Sequence, residues 1–231
     1  MNPAVMRRLY HFCPPDYVIE NIVKRRLKVS RFSKCNDPFE LAAFSLKDGA
    51  VRKRHQEWLA DTDKRHGLIC FCRNWRSPVL WSHYADNHRG LCLGFDVRPD
   101  NYVDVRYASE RLFPDISMEN FFQHVGEDQM PDLFATKFIH WSYEEEVRQL
   151  ISFETEPGEI CFYPYSDELR LRQIIIGPRS ELCVEDIQEA ISEYGDGGVE
   201  IFQARLAFRR FEVVRQKDET LWNRHKKSSV A

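Results

Sequence analysis

At 231 residues, with 30% charged side chains and a formal net charge of −3, the chain can bury a substantial core and carries no global field that would draw it to nucleic acid or an anionic membrane. No apolar run approaches the ~18 residues of a membrane span, and Met1-Asn2-Pro3-Ala4-Val5-Met6-Arg7-Arg8 lacks the apolar region of a signal peptide. Seven cysteines, an odd number scattered through apolar stretches, read as reduced core thiols, so the expectation is a cytoplasmic globular protein with no membrane partner.

Leu9 to Cys13 reads as a short aromatic strand closed by Pro14-Pro15. Asp16 is placed to cap a helix whose apolar positions, Val18, Ile19, Ile22, Val23 and Leu27, follow the helical period. Leu27 to Phe32 alternates as a second strand, and Asn36-Asp37-Pro38-Phe39-Glu40 is a turn signature. From about Glu40 to Arg65 a mostly polar helix is expected, followed by a buried strand at Gly67 to Arg73. Ser77-Pro78 then opens a short helix over Val79 to Asp86. Asn87 to Gly90 ends that helix, and Leu91 to Phe95 continues as a strand.

Tyr102 to Val105 is a further strand, and helix is expected at Met118 to His124 and at Leu133 to Phe138. Trp141 to Ile151 reads as a strand in which Glu144, Glu146 and Arg148 share one face and Tyr143, Val147 and Ile151 the other. Ile160 to Tyr163 and Leu169 to Ile176 are strands, the latter stopped by Gly177-Pro178. Val184 to Tyr194 is an amphipathic helix, Val199 to Leu206 and Arg210 to Val214 are the last strands, and a basic tail follows. The expected organisation is α+β: a single domain over 1–231 with its core at about 9–215, a tail at 216–231, and a split, mostly antiparallel sheet flanked by helices.

Cys70, Cys72, His83, His88 and Cys92 crowd into 23 residues, yet no C-x2-C knuckle occurs among them. Cysteine on an apolar strand is ordinarily a small core residue, so no metal is expected. A thiol nucleophile beside His83 or His88 would need an orienting partner that no recognisable spacing supplies. Neither G-x-G-x-x-G nor G-x4-G-K-S/T occurs. The basic clusters at Lys24-Arg25-Arg26, Arg52-Lys53-Arg54 and Arg205 to Arg215 are interspersed with acidic residues and read first as solvated faces, with a nucleic-acid surface as the alternative.

The row Glu144, Glu146 and Arg148 carries the most chemistry. A face of that composition must be exposed or line a polar cleft, since like charges two positions apart repel. It is either an ordinary solvated sheet face with Arg148 paired to Glu146, or a carboxylate held by Arg148 to stabilise positive charge on a substrate, as an oxocarbenium-like transition state requires.

Leu9-Tyr10-His11-Phe12, Asn36-Asp37-Pro38-Phe39-Glu40, Trp81-Ser82-His83-Tyr84-Ala85-Asp86-x-His88-x-Gly90-Leu91-Cys92-Leu93-Gly94-Phe95, Trp141-x-Tyr143-Glu144-x-Glu146-x-Arg148 and Ile174-Ile175-Ile176-Gly177 together resemble the DUF2971 family of bacterial proteins, over about residues 9 to 215. At fold level the order of elements resembles the ADP-ribosyltransferases. That resemblance implies NAD as the substrate. It gives His11 the ribose, Tyr84 the nicotinamide ring and Glu146 the oxocarbenium ion, with Glu144 toward the acceptor and Arg148 orienting Glu146. His83 or Arg31 could replace His11 or Tyr84 in a different threading, and the family's Ser-Thr-Ser motif has no clear counterpart.

The implied activity is ADP-ribosyl transfer to an intracellular macromolecule or NAD hydrolysis, in the setting of a toxin or phage-defence effector. Two alternatives stand beside it. One is a non-catalytic domain that binds a nucleotide or nucleic acid. The other is a nuclease-like effector in which Asp37 and Glu40, near Glu146, hold a divalent ion.

Overall fold

The computed structural model describes residues 5–42, 46–112, 133–155, 158, 160–194 and 198–224. The helix expected at Met118 to His124 and residues 225–231 of the basic tail lie outside them. The architecture is mixed α+β with mostly antiparallel strands, and the chain divides into two compact units, each assembled from separated stretches. The first comprises Met1–Leu27, Phe71–Pro99 and Pro164–Ala231, and the second Lys28–Cys70 and Asp100–Tyr163. A single domain was expected; the chain passes between the units four times, so no one cut separates them.

The first unit is organised on β1 (Arg7–Cys13). β2 (Arg26–Val29) follows, and β3 (His66–Cys72) gives only its last two residues to this unit, Cys72 pairing with Tyr10. β1 runs antiparallel to β4 (Leu91–Val97) along its whole length, from Arg7 opposite Val97 to Cys13 opposite Leu91. Every residue of β4 except Asp96 is buried, as its unbroken apolar run requires.

The second unit holds β5 (Val103–Asp104), β6 (Arg106–Ala108), β7 (Thr136–Phe138), β8 (Glu146–Ser152), the second half of β2 and all but the last residue of β9 (Cys161–Pro164). β10 (Leu169–Ile176), back in the first unit, lies antiparallel to β4 with a bulge at Arg172, between Leu171 and Gln173. β11 (Glu200–Leu206) pairs parallel with β10, and β12 (Val213–Arg215) closes antiparallel on β11.

The helices of the first unit are α1 (Val18–Val23), α3 (Pro78–Tyr84) and α4 (Val184–Ala190); α2 (Gly49–Arg65) belongs to the second. α4 makes the crossover that a parallel β10–β11 pair needs. α1 starts from Tyr17 in a left-handed conformation and has no side-chain cap, so Asp16 does not play the expected role, and Leu27 has already joined β2. α2 begins nine residues later than expected, because Asp37 holds a turn by accepting from Phe39 N at 2.9 Å and Asp48 supplies the cap, accepting from Ala50 N at 2.6 Å.

In the second unit β8 pairs antiparallel with β5, and β6 with β7 in parallel. Its apolar core gathers Phe32, Leu41, Leu68 and Leu133, with Trp58, Leu59 and Phe134 packed against them. Asp63 of α2 accepts from the backbone N–H groups of Phe32 and Ser33, capping the short helix Phe32–Lys34 onto this core.

Candidate functional site

The strand expected at Trp141 to Ile151 is two elements. Ile139–Glu144 forms a 3-10 helix, Glu145 turns the chain through a left-handed conformation (φ 44°, ψ 46°), and β8 starts at Glu146. Glu144 therefore does not share a strand face with Glu146. The expected choice between an exposed face and a polar cleft is also corrected: Glu40, Glu144, Glu146 and Arg148 are each 5% exposed or less. Partners that no local pattern reveals make that burial tolerable.

Arg148 spends all five of its N–H donors. Nε donates to Glu146 Oε1 (2.9 Å) and one terminal nitrogen donates to Glu40 Oε1 (2.6 Å) and to the Phe134 carbonyl (2.7 Å). The other terminal nitrogen donates to Glu40 Oε2 (2.9 Å) and Glu146 Oε2 (3.2 Å). Lys137, on β7, donates to Glu144 Oε2 (2.5 Å) and Glu146 Oε2 (3.2 Å), its ammonium 4.7 Å from the centre of the Trp141 ring. Glu146 N donates to the Tyr107 hydroxyl at 2.8 Å.

Burial alone would raise the Glu146 carboxyl, but Arg148, Lys137 and the hydrogen bonds from Arg148 and Cys70 outweigh it and hold the pKa down at about 2. The same carboxylates raise Lys137 despite its own burial. With all groups ionised the cluster sets three carboxylates against two cations, a formal charge of −1. Lys137 lies on a strand where a helix was expected over Leu133 to Phe138, so its part in the cluster was not anticipated.

Arg31 also falls in this unit, with its guanidinium donating to the backbone carbonyls of Asp63 and, at 2.9 Å, Gly158, and lying 4.9 Å from the Phe153 ring centre. It ties loops together here. Asp37 is spent on its turn, and the Arg148 guanidinium bridges Glu40 to Glu146 where the nuclease alternative needs a divalent ion. Among the described residues no group of three or more His, Cys, Asp or Glu could hold a metal.

His11, His83 and Tyr84 belong to the first unit. His11 lies opposite Leu93 on β1, its ring 5.7 Å from that of Phe71. Tyr84 is the last residue of α3 and half-buried, and His83 beside it is exposed. Beyond α3 come three consecutive left-handed residues, Asp86, Asn87 and His88 (φ 43°, 51° and 74°). The turn is fixed by backbone bonds to the helix, from His88 N to Trp81 O (3.1 Å) and from Gly90 N to Ala85 O (2.8 Å). Gly177 and Arg179 donate into it, to the carbonyls of Gly90 and His88, both at 3.0 Å.

His88 lies parallel to Trp81 (9° between planes) and hydrogen-bonds Ser82 Oγ through Nε2 at 3.1 Å, while its buried Nδ1 has no hydrogen-bond partner among the described residues. The Cys70 and Cys92 thiols are both pushed well above their ordinary range by burial, so neither is an activated nucleophile.

Three histidines share one electrostatic signature. Burial pulls His55, His66 and His88 below the ordinary 6.5, with Arg111, Arg65 and Arg179 respectively acting in the same direction. Below pH 6.5 the unfolded chain then binds more protons than the folded one. Their stabilisation is complete above pH 6.5 and is lost as the pH falls through 6.5 toward the folded values. The urea midpoint is expected to be lower at pH 5.5 than at pH 7.5; a flat profile over that interval would refute the assignment.

The first strand, expected from Leu9, begins at Arg7 and adds a polar arrangement. Arg8 and Tyr10 alternate with buried Leu9, and Arg8 Nε reaches Asp96 Oδ1 at 2.7 Å. The bulge at Arg172 brings a second guanidinium to Asp96 Oδ2 at 3.4 Å. Gly94 sits between Tyr10 and Gln173 in the register, and a Cβ there would come within 3.0 Å of Gln173 Cβ and 3.2 Å of the Tyr10 ring. Gln173 donates to Glu200 at 2.6 Å. The Arg-x-Tyr alternation was the available signal; the bulge leaves none.

No protein-family model matches the chain, and no curated protein and no solved structure matches it either.

Proposed function

We propose that the chain acts on NAD, breaking the N-glycosidic bond to nicotinamide and passing ADP-ribose to water or to a macromolecule, with Glu146 facing the developing oxocarbenium ion. The observation that carries this reading is the make-up of the buried cluster, three glutamates tied by Lys137 and Arg148, with the Glu146 carboxyl held well below its ordinary range by Arg148 and Lys137. Fixed negative charge in a medium of low dielectric stabilises a cationic transition state strongly and needs no reorganisation when the charge appears. In this reading Arg148 positions Glu146, Glu144 lies toward the acceptor, and Arg31, the alternative that falls in the same unit, contacts the dinucleotide. The fold-level resemblance to the ADP-ribosyltransferases supports it through the residues quoted for it, and the reading implies a cytoplasmic toxin or phage-defence setting.

One observation favours a second reading. Glu146 is only 5% exposed and both its oxygens already accept hydrogen bonds. The cluster would then be a structural tie, and the function recognition of a nucleotide or nucleic acid by exposed groups elsewhere.

Glu146→Gln separates the two. It leaves Glu40 matched to Arg148 and Glu144 to Lys137, so the fold is expected to survive. On the first reading purified protein releases nicotinamide from NAD, and the variant, folded by circular dichroism, loses at least 100-fold in turnover. Folded wild-type protein that neither binds nor consumes NAD would overturn it.

A further inference from the structure

The loop joining β11 to β12 is the most exposed apolar feature among the described residues. Phe208 is 89% exposed and Phe211 99%, and Leu206 at the foot of the loop is exposed as well. The loop is not loosely held. Ala207 N donates to Glu212 O at 2.9 Å across its base, and β11 and β12 pair from Ala204 opposite Arg215 to Leu206 opposite Val213. Two phenylalanines displayed at the end of a hairpin contribute nothing to the core, and such display marks an interaction site.

The charges around them indicate the partner. Arg205 lays its guanidinium 4.2 Å from the centre of the Phe208 ring and fastens itself to the Leu206 carbonyl at 3.0 Å. Arg209 and Arg210, both exposed, stand between the two rings in sequence. Glu212 is the single acidic residue of the loop, 3.9 Å from Arg210. Three arginines against one glutamate on a chain of net charge −3 is a local reversal of sign.

We infer that this hairpin tip binds single-stranded nucleic acid. Arginine satisfies phosphate oxygens with paired donors, and an exposed aromatic face stacks on any unpaired base, a combination that holds single strands without reading their sequence. A duplex hides the base faces that Phe208 and Phe211 would need. A lipid surface suits the tip less well. Sinking Phe208 into hydrocarbon would carry along the guanidinium lying on its ring, and Arg209 and Arg210 would follow between the two phenylalanines. The inference is independent of any chemistry at Glu146, because it uses other residues and needs no NAD.

Fluorescence anisotropy with labelled 12-mers of oligo(dT), oligo(U) and a 12-base-pair duplex tests it on the full chain without NAD. Binding of one or both single strands is expected, tighter than to the duplex, and the two oligomers show whether DNA or RNA is preferred. Phe208→Ala combined with Phe211→Ala is expected to weaken binding at least about tenfold. Replacing Arg205, Arg209 and Arg210 by alanine should flatten the slope of log K against log salt by about 2. These side chains project from the surface, so the variants should keep the wild-type melting curve. The inference is overturned if folded wild-type protein ignores both single strands, if the phenylalanine variant binds them undiminished, or if duplex or phosphatidylserine vesicles bind more tightly with the same dependence on Phe208 and Phe211.

Discussion

Replacing Arg148 by methionine is expected to remove about 3–5 kcal/mol of stability, a large share of the ~5–15 kcal/mol that holds a domain of ordinary size together. The side chain is similar in length and the site is buried, so lost volume is a minor part of the effect. What is lost is the guanidinium that pairs with both Glu40 and Glu146. Glu40 and Glu146 then stay buried without that guanidinium, Lys137 still pairing with Glu144 and Glu146, and the Phe134 carbonyl loses its donor.

Arg148→Lys should fall between wild type and methionine. An ammonium has three donors instead of five and cannot engage two carboxylates along both edges at once. Urea denaturation with a constant m-value measures the loss. Pairing Arg148→Met with Glu40→Gln should recover part of it, because the orphaned charge goes with its partner. A cost below about 1 kcal/mol for Arg148→Met would mean that the cluster does not matter to the fold.

Gly90→Ala is the second substitution expected to be severe, for a steric reason. A Cβ at Gly90 would lie 1.9 Å from the Cys13 carbonyl oxygen and 3.1 Å from Pro14 Cα. Both are backbone atoms at the end of β1, and neither can rotate aside as a side chain could. Relief requires β1 and β4 to part where Cys13 pairs with Leu91, or the left-handed turn before Gly90 to unwind. Either movement also disturbs the bonds that Gly177 and Arg179 donate into that turn.

A loss of about 3 kcal/mol or more is expected from calorimetry or urea titration. Gly177→Ala should behave alike, since its Cβ would meet His88 O at 2.3 Å and Gly90 O at 2.6 Å. Gly158→Ala, with nothing within 4 Å of the added carbon, is the control and should stay within about 0.5 kcal/mol. Wild-type stability in Gly90→Ala would show that the close approach of the two segments is not required.

What the sequence disclosed follows from the range of the forces involved. The strand at Leu169 to Ile176 was legible to the residue because an apolar run ends at Gly177-Pro178, both signals being local. β4 was legible for the same reason, as was the short helix behind Ser77-Pro78. Trp141 to Ile151 misled because alternation of charge imitates a strand whether or not the backbone is extended, and the left-handed Glu145 that breaks it bears no glycine to announce it. The candidate site was half legible. Glu146 and Arg148 were named, and their pairing was anticipated. Glu40 was expected near Glu146 only as a metal ligand; its pairing with Arg148, 108 positions away, and the part of Lys137, in a segment read as helix, came with the fold. Arg8 lay within reach, but the expected strand began two residues late, at Leu9 instead of Arg7.

The interleaving of the two units bears on how the chain is made. On a ribosome β1 and β4 emerge first and can pair, but the other edge of β4 waits for β10. About 70 residues separate the two strands, several seconds at ordinary rates of synthesis. Meanwhile all of the second unit's remaining stretch, Asp100–Tyr163, has to be delivered. Leu91 to Phe95 thus spends that interval as an apolar strand with one bare edge, the most association-prone state a nascent chain can present. Slowed elongation is therefore expected to lower the yield of folded protein, a sensitivity that the finished fold does not share.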